Sequence, residues 1–445
     1  MNLTRRQFLK ASAVSTLVLP QVSVRPADEY GRFKTALIGC GWWGMNILNE
    51  AIAAKRANVV GLCDVDRGHL DAAGAKVEEL TGGKPVRYTD YRDLLREQRP
   101  EVVIVATPDH WHPLQTIEAV RAGAHVYVEK PVGHTIAEGR AMVRAARKYG
   151  RVVQVGTHRR VSPHNLSAME FLRSGKAGKI GLVRAFVLYG GARGPERATP
   201  NQEPPKTLDW DRWCGPGPLR PFNARIHPRG FRNFLDYANG TLGDWGIHWM
   251  DQILWWAEEK WPKRVFSTGG RPISGPVVYL PDVQTTDAPD VQTATYEFEA
   301  FTAIWEHRNF AGNNAEKGEE VGVYFYGTEG TLHIGWRSGW KFYPTSKGQP
   351  VIEEKPSLNE PDQQNIRELW ADFLRAIDTG TLPVCDIEIG HRSTNMSLLG
   401  MLSYKLGRSI LWDGAREVIV NDFFANTLLR RDYRLGYKYP EPELV

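Results

Sequence analysis

Residues 34–44 read KTALIGCGWWG, and this stretch decides the fold of the first part of the 445-residue chain. The run from 34 to 40 is short, apolar and nearly continuous, which is typical of a strand buried on both faces. Gly39, Gly41 and Gly44 follow with the spacing G-x-G-x-x-G, and a helical pattern begins there. A strand, a glycine turn and a helix in this order predict a dinucleotide site, with the pyrophosphate at the helix N-terminus.

An acidic residue at the end of the next apolar run supports this prediction. Residues 58–64 form that run, and it ends at Asp64, 20 residues after Gly44. A carboxylate at this place accepts a hydrogen bond from the adenine ribose and repels a 2′-phosphate. We therefore expect NAD to be favoured over NADP, although Arg67 close by weakens the preference.

The alternation of strands and helices continues to residue 157. Apolar runs at 101–107, 125–131 and 151–157 are separated by helical patterns, which lie at 44–54, 69–80, 112–122 and 135–149. The sequence therefore predicts an α/β fold, with a doubly wound parallel Rossmann sheet as a dinucleotide-binding domain over residues 34–157.

The pattern changes after residue 157. Segments 184–189, 293–298, 302–307 and 321–326 are β-rich, and helical patterns follow at 363–379 and 390–406. They predict an α+β domain with a largely antiparallel open sheet over 158–410, for substrate binding and oligomerisation, and a C-terminal strap over 411–445. A Pro-, Gly- and Trp-rich stretch at 190–240 is predicted to be loop, and loops of this length are usually functional.

The N-terminus resembles an export signal. Residues 4–10 read TRRQFLK and are followed by a short, charge-free and weakly apolar stretch, which is typical of a signal peptide. Arg5 and Arg6 resemble the pair of the twin-arginine signal. We expect residues 1–33 to be a signal or tether and linker, and the protein to be periplasmic or otherwise exported. Whether the signal is cleaved or stays as a membrane tether is left open.

Composition excludes several classes of protein. The formal charge is only +5, from 56 basic and 51 acidic residues, and no basic cluster with aromatics stands out after the first ten residues, so nucleic acid is not an expected partner. No apolar run reaches the length of an ordinary membrane span. The cysteines lack metal-ligand spacing, so we expect core residues and no metal site; they are Cys40, Cys63, Cys214 and Cys385.

Three further motifs carry a resemblance to a known family. The chain reads EKP at 129–131, GDWGIHWMD at 243–251 and ATPDHWHP at 106–113. Together with the glycine motif they resemble the glucose-fructose oxidoreductase/inositol dehydrogenase/MocA family over about residues 34–439. The resemblance implies that His248 takes a proton from a substrate hydroxyl while hydride leaves the same carbon, and that Lys130 and Asp244 position the substrate. One departure is that Gly240, Thr241, Leu242 and Gly243 stand where the family often has three consecutive glycines.

Several residues near these motifs are expected at the site. Cofactor contacts are predicted for Trp42, Trp43, Thr107, Pro108, His112, Glu129 and Lys130. His112 either faces the cofactor or caps the next helix. Arg159, Arg160 and Trp245 are predicted to contact substrate, with surface charge as the alternative for the two arginines. Asp244 and His248 are spaced i, i+4, so they either share a substrate hydroxyl or bond each other.

Three functions are compatible with these observations. The first is an NAD(P)-dependent oxidoreductase acting on a sugar or polyol, with tightly bound NAD and a homo-oligomeric assembly. The second is a glycoside-cleaving enzyme that oxidises, eliminates and re-reduces with no net change of cofactor. The third is a non-catalytic dinucleotide-binding protein.

Overall fold

The computed structural model describes residues 32–313, 319–360, 363–442 and 445. The predicted twin-arginine segment lies outside these residues. Within them, no helix is long and apolar enough to cross a membrane.

The first domain is built on a parallel sheet, which confirms the predicted Rossmann fold. Its described strands are β1 Phe33–Ile38, β2 Ala57–Cys63, β3 Val86–Tyr88, β4 Val102–Val105, β5 His125–Val128 and β6 Val153–Val155. They lie in the order β3-β2-β1-β4-β5-β6, and every pairing is parallel. The sequence pattern does not predict β3, because this edge strand has only three residues and two of them are exposed.

Helices cover both faces of this sheet. They are Trp42–Ala53, Arg67–Thr81, Tyr91–Gln98, His112–Arg121 and Ile136–Lys148. Each of these helices follows a strand of the sheet, and side-chain caps fix several of the helix starts. Thr135 and Glu138, for example, form a capping box at the start of Ile136–Lys148. Because both faces are covered, the inner strands are apolar throughout, and all four residues of β4 are buried.

The second domain contains a mostly antiparallel sheet, as predicted. Its described strands are β7 Ile180–Leu188, β9 Arg264–Gly270, β11 Val291–Glu297, β12 Thr302–Arg308, β13 Val321–Gly327, β14 Gly330–Gly335, β15 Trp340–Pro344, β16 Ile352–Glu354, β17 Ile410–Asp413 and β18 Val418–Ile419. They lie in the order β16-β15-β14-β13-β7-β12-β11-β9-β17-β18. Among the described strand pairings of this second sheet, only that of β7 with β12 is parallel.

One face of this sheet is buried against helices. Buried residues alternate along β11 and β12, so each strand offers one side to the core. The core combines these side chains with those of helices Ile247–Ala257 and Ile387–Leu406. A further helix, Pro163–Arg173, connects the two domains and contributes to the same core.

A helix that follows most strands of the second domain packs against the first domain. Helix Ile366–Thr379 packs on the Rossmann sheet, with Leu369 and Phe373 in the same core cluster as Leu37. The predicted boundary at residue 410 also falls inside β17, which pairs with β9. Such boundaries depend on long-range packing, which local sequence patterns do not encode.

The stretch at 190–240 is an insertion with its own small core. It contains β8 Thr199–Pro200, which pairs with β10 Val283–Gln284, and a short helix Trp210–Cys214. Trp210 and Trp213 stack with ring centroids 4.6 Å apart, within a cluster of buried aromatic and aliphatic residues. The insertion therefore has defined structure, and part of it reaches the cleft described below.

Candidate functional site

A cleft of about 610 Å³ runs along the carboxyl ends of the parallel strands and is bordered by both domains and the insertion. Ligands bind at this edge of open α/β sheets. The cleft brings together the glycine turn, Asp64, the EKP segment, Asp244 and His248, which lie up to 209 positions apart in the sequence.

The glycine turn is shaped for close approach of a ligand. Gly39 has φ +95°, and a Cβ on it would lie 2.6 Å from the carbonyl oxygen of Ala106. A Cβ on Gly44 would lie 2.0 Å from the carbonyl oxygen of Gly39, so the turn packs tightly on the helix. Gly41, by contrast, has open space within 4 Å of a Cβ position and lines the cleft. Helix Trp42–Ala53 starts there with no side-chain cap, so its first N–H groups are available to a pyrophosphate.

Asp64 lies at the end of β2 and lines the same cleft. Its carboxylate accepts hydrogen bonds from the Cys40 N–H at 2.7 Å and the Asp66 N–H at 2.8 Å. Burial raises the pKa of Asp64, and these backbone donors oppose that effect. Each carboxylate oxygen still has a free acceptor position for a ribose hydroxyl. Arg67 is exposed and is not among the residues that line the cleft.

Most predicted cofactor contacts border the cleft; these are Trp42, Trp43, Thr107, Pro108, Glu129 and Lys130. His112, by contrast, does not line the cleft, so the predicted cofactor contact of this residue is wrong. It is 1% exposed, and its ring nitrogens lie 2.7 Å from the Pro131 carbonyl and 2.8 Å from the Thr107 carbonyl. The imidazole therefore ties together the segments after β4 and β5, and it neither faces the cleft nor caps a helix.

Lys130 and Asp244 form an ion pair across the two domains. Lys130 Nζ donates to Asp244 Oδ1 at 2.6 Å and to the Asp244 carbonyl at 2.9 Å. Arg232 Nε donates to the same Oδ1 at 2.9 Å. Burial alone raises the pKa of Asp244, but the two cations outweigh it and lower the pKa to about 2. Asp244 is therefore ionised throughout the physiological range.

His248 lies in the first turn of helix Ile247–Ala257 and borders the same cleft. Within the described part of the chain its Nδ1 is buried without a hydrogen-bond partner, and Asp244 bonds the two cations instead of His248. Burial, followed by the charges of Lys130 and Arg159, holds the pKa of His248 well below 6.5. The imidazole is therefore neutral and can accept a proton.

The two arginines predicted to contact substrate do not line the cleft. Arg160 Nε donates to both carboxylate oxygens of Asp251, at 3.0 and 2.8 Å. The two side chains form an ion pair with a structural role. Arg159 is 2% exposed and stacks on Trp336, which does line the cleft. Both arginines point inward because residues 158–161 form a turn of 3₁₀ helix packed between the domains. Trp245, the third residue predicted to contact substrate, does border the cleft.

Many residues that line the cleft were not predicted from the sequence, and three of them bear directly on its chemistry. Arg232 and Trp336 lie in an irregular insertion and a strand connection, where no motif marks them. Asp109 belongs to the quoted segment 106–113, so its position after β4 was an available signal. Burial raises the pKa of Asp109 to about 7, and its Oδ2 has no hydrogen-bond partner among the described residues.

The structure also brings together a group that was not predicted. Asp66, His69 and His227 offer ligand atoms within 4.8 Å of one another, a spacing compatible with a metal ion. The carboxylate of Asp66 already has protein partners: Oδ1 accepts from the Gly68 N–H at 2.8 Å, and Oδ2 lies 3.3 Å from His227 Nε2. These contacts fasten the insertion to the first domain.

Two family models match the chain, in the order of its domains. Residues 33–157 match the NAD-binding Rossmann fold of the glucose-fructose oxidoreductase/inositol dehydrogenase/MocA oxidoreductase family. Residues 189–267 match a C-terminal alpha/beta domain of the same family. The two matches support assignment of the chain to this family of NAD-binding oxidoreductases.

Individual proteins show more distant similarity. A glycosyl hydrolase family 109 protein of Shewanella baltica is 26% identical over 204 residues, which are 40% of this chain and 44% of that protein. The match thus spans less than half of that relative. Levoglucosan dehydrogenase, solved with NADH and L-sorbose, superposes with a TM-score of 0.67 at 18% identity over 86% of this chain and 99% of that chain. Aldose-aldose oxidoreductase from Caulobacter crescentus gives 0.64 at 19% identity over 85% and 99%. At these identities the likeness concerns the fold.

Proposed function

We propose that the protein is an NAD-dependent oxidoreductase that oxidises a hydroxyl-bearing carbon of a carbohydrate. The observation that carries this proposal is the single cleft in which a dinucleotide-type glycine turn and Asp64 stand beside Lys130, Asp244 and a neutral His248. Two solved proteins of the same fold are named as sugar oxidoreductases, which agrees with a carbohydrate substrate.

The residues of the cleft fit a nicotinamide dinucleotide. The open space at Gly41 and the uncapped helix start suit the pyrophosphate, and Asp64 suits the adenine ribose. When bound, the nicotinamide supplies the acceptor for the hydride. A carboxylate at Asp64 favours NAD over NADP, because a 2′-phosphate would bring like charge beside it.

Lys130 is positioned to bind the reacting hydroxyl. An ammonium group has three donors, and Asp244 accepts from two of them, through Oδ1 and the backbone carbonyl. The third is left for a substrate oxygen. Because Asp244 stays ionised, its carboxylate fixes the direction of the ammonium group.

His248 is positioned to take the hydroxyl proton. Its Nδ1 is buried, so Nε2 is the nitrogen left to meet a substrate in the cleft. The proton moves from the substrate hydroxyl to Nε2, and the carbon–oxygen single bond becomes a carbonyl as the hydride leaves the carbon. Lys130 stabilises the negative charge that develops on the oxygen.

Redox-assisted glycoside cleavage is the second candidate. The relatives named glycosyl hydrolase family 109 proteins favour it. In that chemistry the ketone formed first acidifies the neighbouring C–H, elimination breaks the glycosidic bond, and water addition and re-reduction follow. The cofactor ends in its starting state, so sugar is released without net NADH.

One assay separates these candidates. The full-length protein is incubated with NAD and a panel of aldoses, polyols and short glycosides, and both NADH absorbance and released sugar are measured. We expect NADH with at least one carbohydrate, and we expect His248→Ala to lower turnover by about 10²–10⁴-fold with cofactor affinity near wild type. Lys84→Ala, at an exposed site outside the cleft, is the control. Sugar release without NADH would favour the second candidate, and NAD binding without any turnover would leave a non-catalytic protein.

We also propose that the protein is exported and carries its cofactor with it. Support comes from the sequence TRRQFLK at residues 4–10, since the twin-arginine route carries folded proteins. Replacing Arg5 and Arg6 by lysine should retain the protein in the cytoplasm on cell fractionation. Heat-released NAD near one per chain in the exported protein would support the holoenzyme, and light scattering would test the proposed homo-oligomer.

A further inference from the structure

Trp336 is placed at the centre of an aromatic group beside His248. It follows β14 at the start of the turn to β15, and its half-buried ring lines the cleft. Its ring centroid lies 4.9 Å from that of His248 and 4.8 Å from that of Trp245, at interplanar angles of 65° and 70°. Trp245 and Trp336 therefore form a corner with two nearly perpendicular aromatic walls next to the proposed proton acceptor.

Arg159 packs against the ring of Trp336. Its guanidinium carbon lies 3.7 Å from the ring centroid, and the side chain does not line the cleft. All three guanidinium nitrogens are buried without a hydrogen-bond partner among the described residues. A buried, unpaired charge is costly, so it persists only where another contact offsets the cost. Here that contact is the face of the indole, which attracts a cation through its quadrupole.

We propose that Trp336 is the platform on which the ring of a cyclic sugar lies during the reaction, and that Arg159 is the positioning residue that holds this platform in place. The proposal rests on the function proposed above and narrows its substrate class from sugars and polyols in general to pyranose-type rings. Such a ring presents a face of C–H groups that packs on an indole while its hydroxyls point to polar groups. An open-chain polyol has no comparable flat face, so it gains less from the same wall.

The corner also explains how one carbon is presented to His248. Stacking on Trp336 fixes the plane of the sugar ring, and Trp245 limits its rotation within that plane. A ring held by both walls has one edge at His248 and Lys130, which is the condition for proton removal from a defined hydroxyl. Trp336 therefore affects which carbohydrates bind, whereas His248 affects how fast a bound one reacts.

The test compares a cyclic and an acyclic carbohydrate on the full-length protein with NAD. Methyl β-D-glucopyranoside and D-glucitol serve as the matched probes, and binding is followed by saturation-transfer NMR, which does not require turnover. We expect saturation to reach mainly the axial C–H protons of the pyranoside. Trp336→Ala should weaken pyranoside binding by about 10-fold or more and D-glucitol binding by less than about 2-fold, while Trp336→Phe should retain part of the pyranoside binding.

Two further variants separate a positioning role from general structural damage. Ser338→Ala alters an exposed neighbour in the same turn that does not line the cleft, and it should change neither the saturation pattern nor the selectivity. Arg159→Met removes the charge with similar bulk and should reproduce the weaker pyranoside binding of Trp336→Ala, with Arg159→Lys restoring part of it. For a carbohydrate that is turned over, both Trp336→Ala and Arg159→Met should act on KM more than on kcat.

The outcomes distinguish this inference from the proposed function. Equal saturation transfer to the two probes, or a Trp336→Ala protein with unchanged pyranoside binding, would overturn the platform while NADH formation still supported the oxidoreductase. If the wild type binds the pyranoside but forms no NADH, and Trp336→Ala abolishes that binding, the platform is supported and the proposed reaction is not. If Arg159→Met fails to fold, Trp336→Phe and Trp336→Ala still decide the role of the ring.

Discussion

Replacing Asp244 by asparagine tests the electrostatic centre of the site. Asparagine has nearly the shape of a protonated aspartate, so the variant imitates the neutral form of this carboxyl. Lys130 and Arg232 hold the carboxylate at 2.6 and 2.9 Å, and they lower its pKa from 3.8 to about 2 despite burial. A difference of about 2 pKa units corresponds to about 2–3 kcal/mol, by which the charged form is favoured in the folded protein.

The sign of the pH dependence follows from the lowered pKa. Because the folded pKa is below the unfolded one, the contribution is fully present above about pH 4 and is lost as pH falls through 2. At pH 7 we expect Asp244→Asn to lose about 2–3 kcal/mol of stability, and at pH 3 only about half of that. Turnover should also fall, because the neutral amide oxygen that replaces the carboxylate holds the ammonium group of Lys130 less strongly.

Urea unfolding followed by tryptophan fluorescence, at pH 7 and pH 3, measures both values. Arg232→Met and the double variant complete a mutant cycle, in which a coupling of at least about 0.5 kcal/mol is expected between groups in contact. Asp71→Asn is the control, because its ion pair with Arg87 is mostly exposed and should contribute little. If Asp244→Asn is as stable as the wild type at pH 7, or if the difference is the same at pH 3, the reasoning is wrong.

Three other predictions concern the pH profile, the cofactor and a buried acid. Burial and the charges of Lys130 and Arg159 hold the pKa of His248 well below 6.5. We therefore expect kcat/KM for oxidation to be constant around neutral pH and to fall only at lower pH. A decrease in kcat/KM centred at pH 7 would contradict this expectation. Asp64→Ala should weaken NAD binding by about 10–100-fold, because a charge-assisted hydrogen bond to the ribose contributes roughly 1.5–3 kcal/mol. The difference in affinity between NAD and NADP should also become smaller, and fluorescence titration measures both affinities. Unchanged NAD affinity would show that Asp64 does not bind the ribose. Burial raises the pKa of Asp109 to about 7, so its ionisation destabilises the folded protein increasingly between pH 4 and 7. Asp109→Asn should therefore be more stable than the wild type at pH 8, by up to roughly 4 kcal/mol, and should have nearly the same stability as the wild type at pH 4. Thermal melts of both proteins at the two pH values test this prediction.

The sequence by itself determined the Rossmann domain and the cofactor end of the cleft. Their signals are local: an apolar strand, a glycine turn and a helix start lie within residues 34–44, and Asp64 follows at the end of the next strand. Gly39 and Gly44 are required because backbone atoms approach them too closely for a side chain. Lys130 and His248 were predicted from the short motifs EKP and GDWGIHWMD, and the proton-transfer role expected of His248 came from the family resemblance.

Only the tertiary structure decided how the substrate end is built. His112 and Arg160 lie beside the motifs of the site, yet their side chains bind protein groups. The imidazole of His112 contacts the Pro131 carbonyl, and Arg160 pairs with Asp251, which lies 91 residues further along the sequence. Arg232 and Trp336 carry no motif and reach the cleft through an irregular insertion and a strand connection. A periodic pattern specifies which side of a helix or strand is buried, whereas the partner of a given polar side chain depends on which distant segments the fold brings within hydrogen-bonding distance.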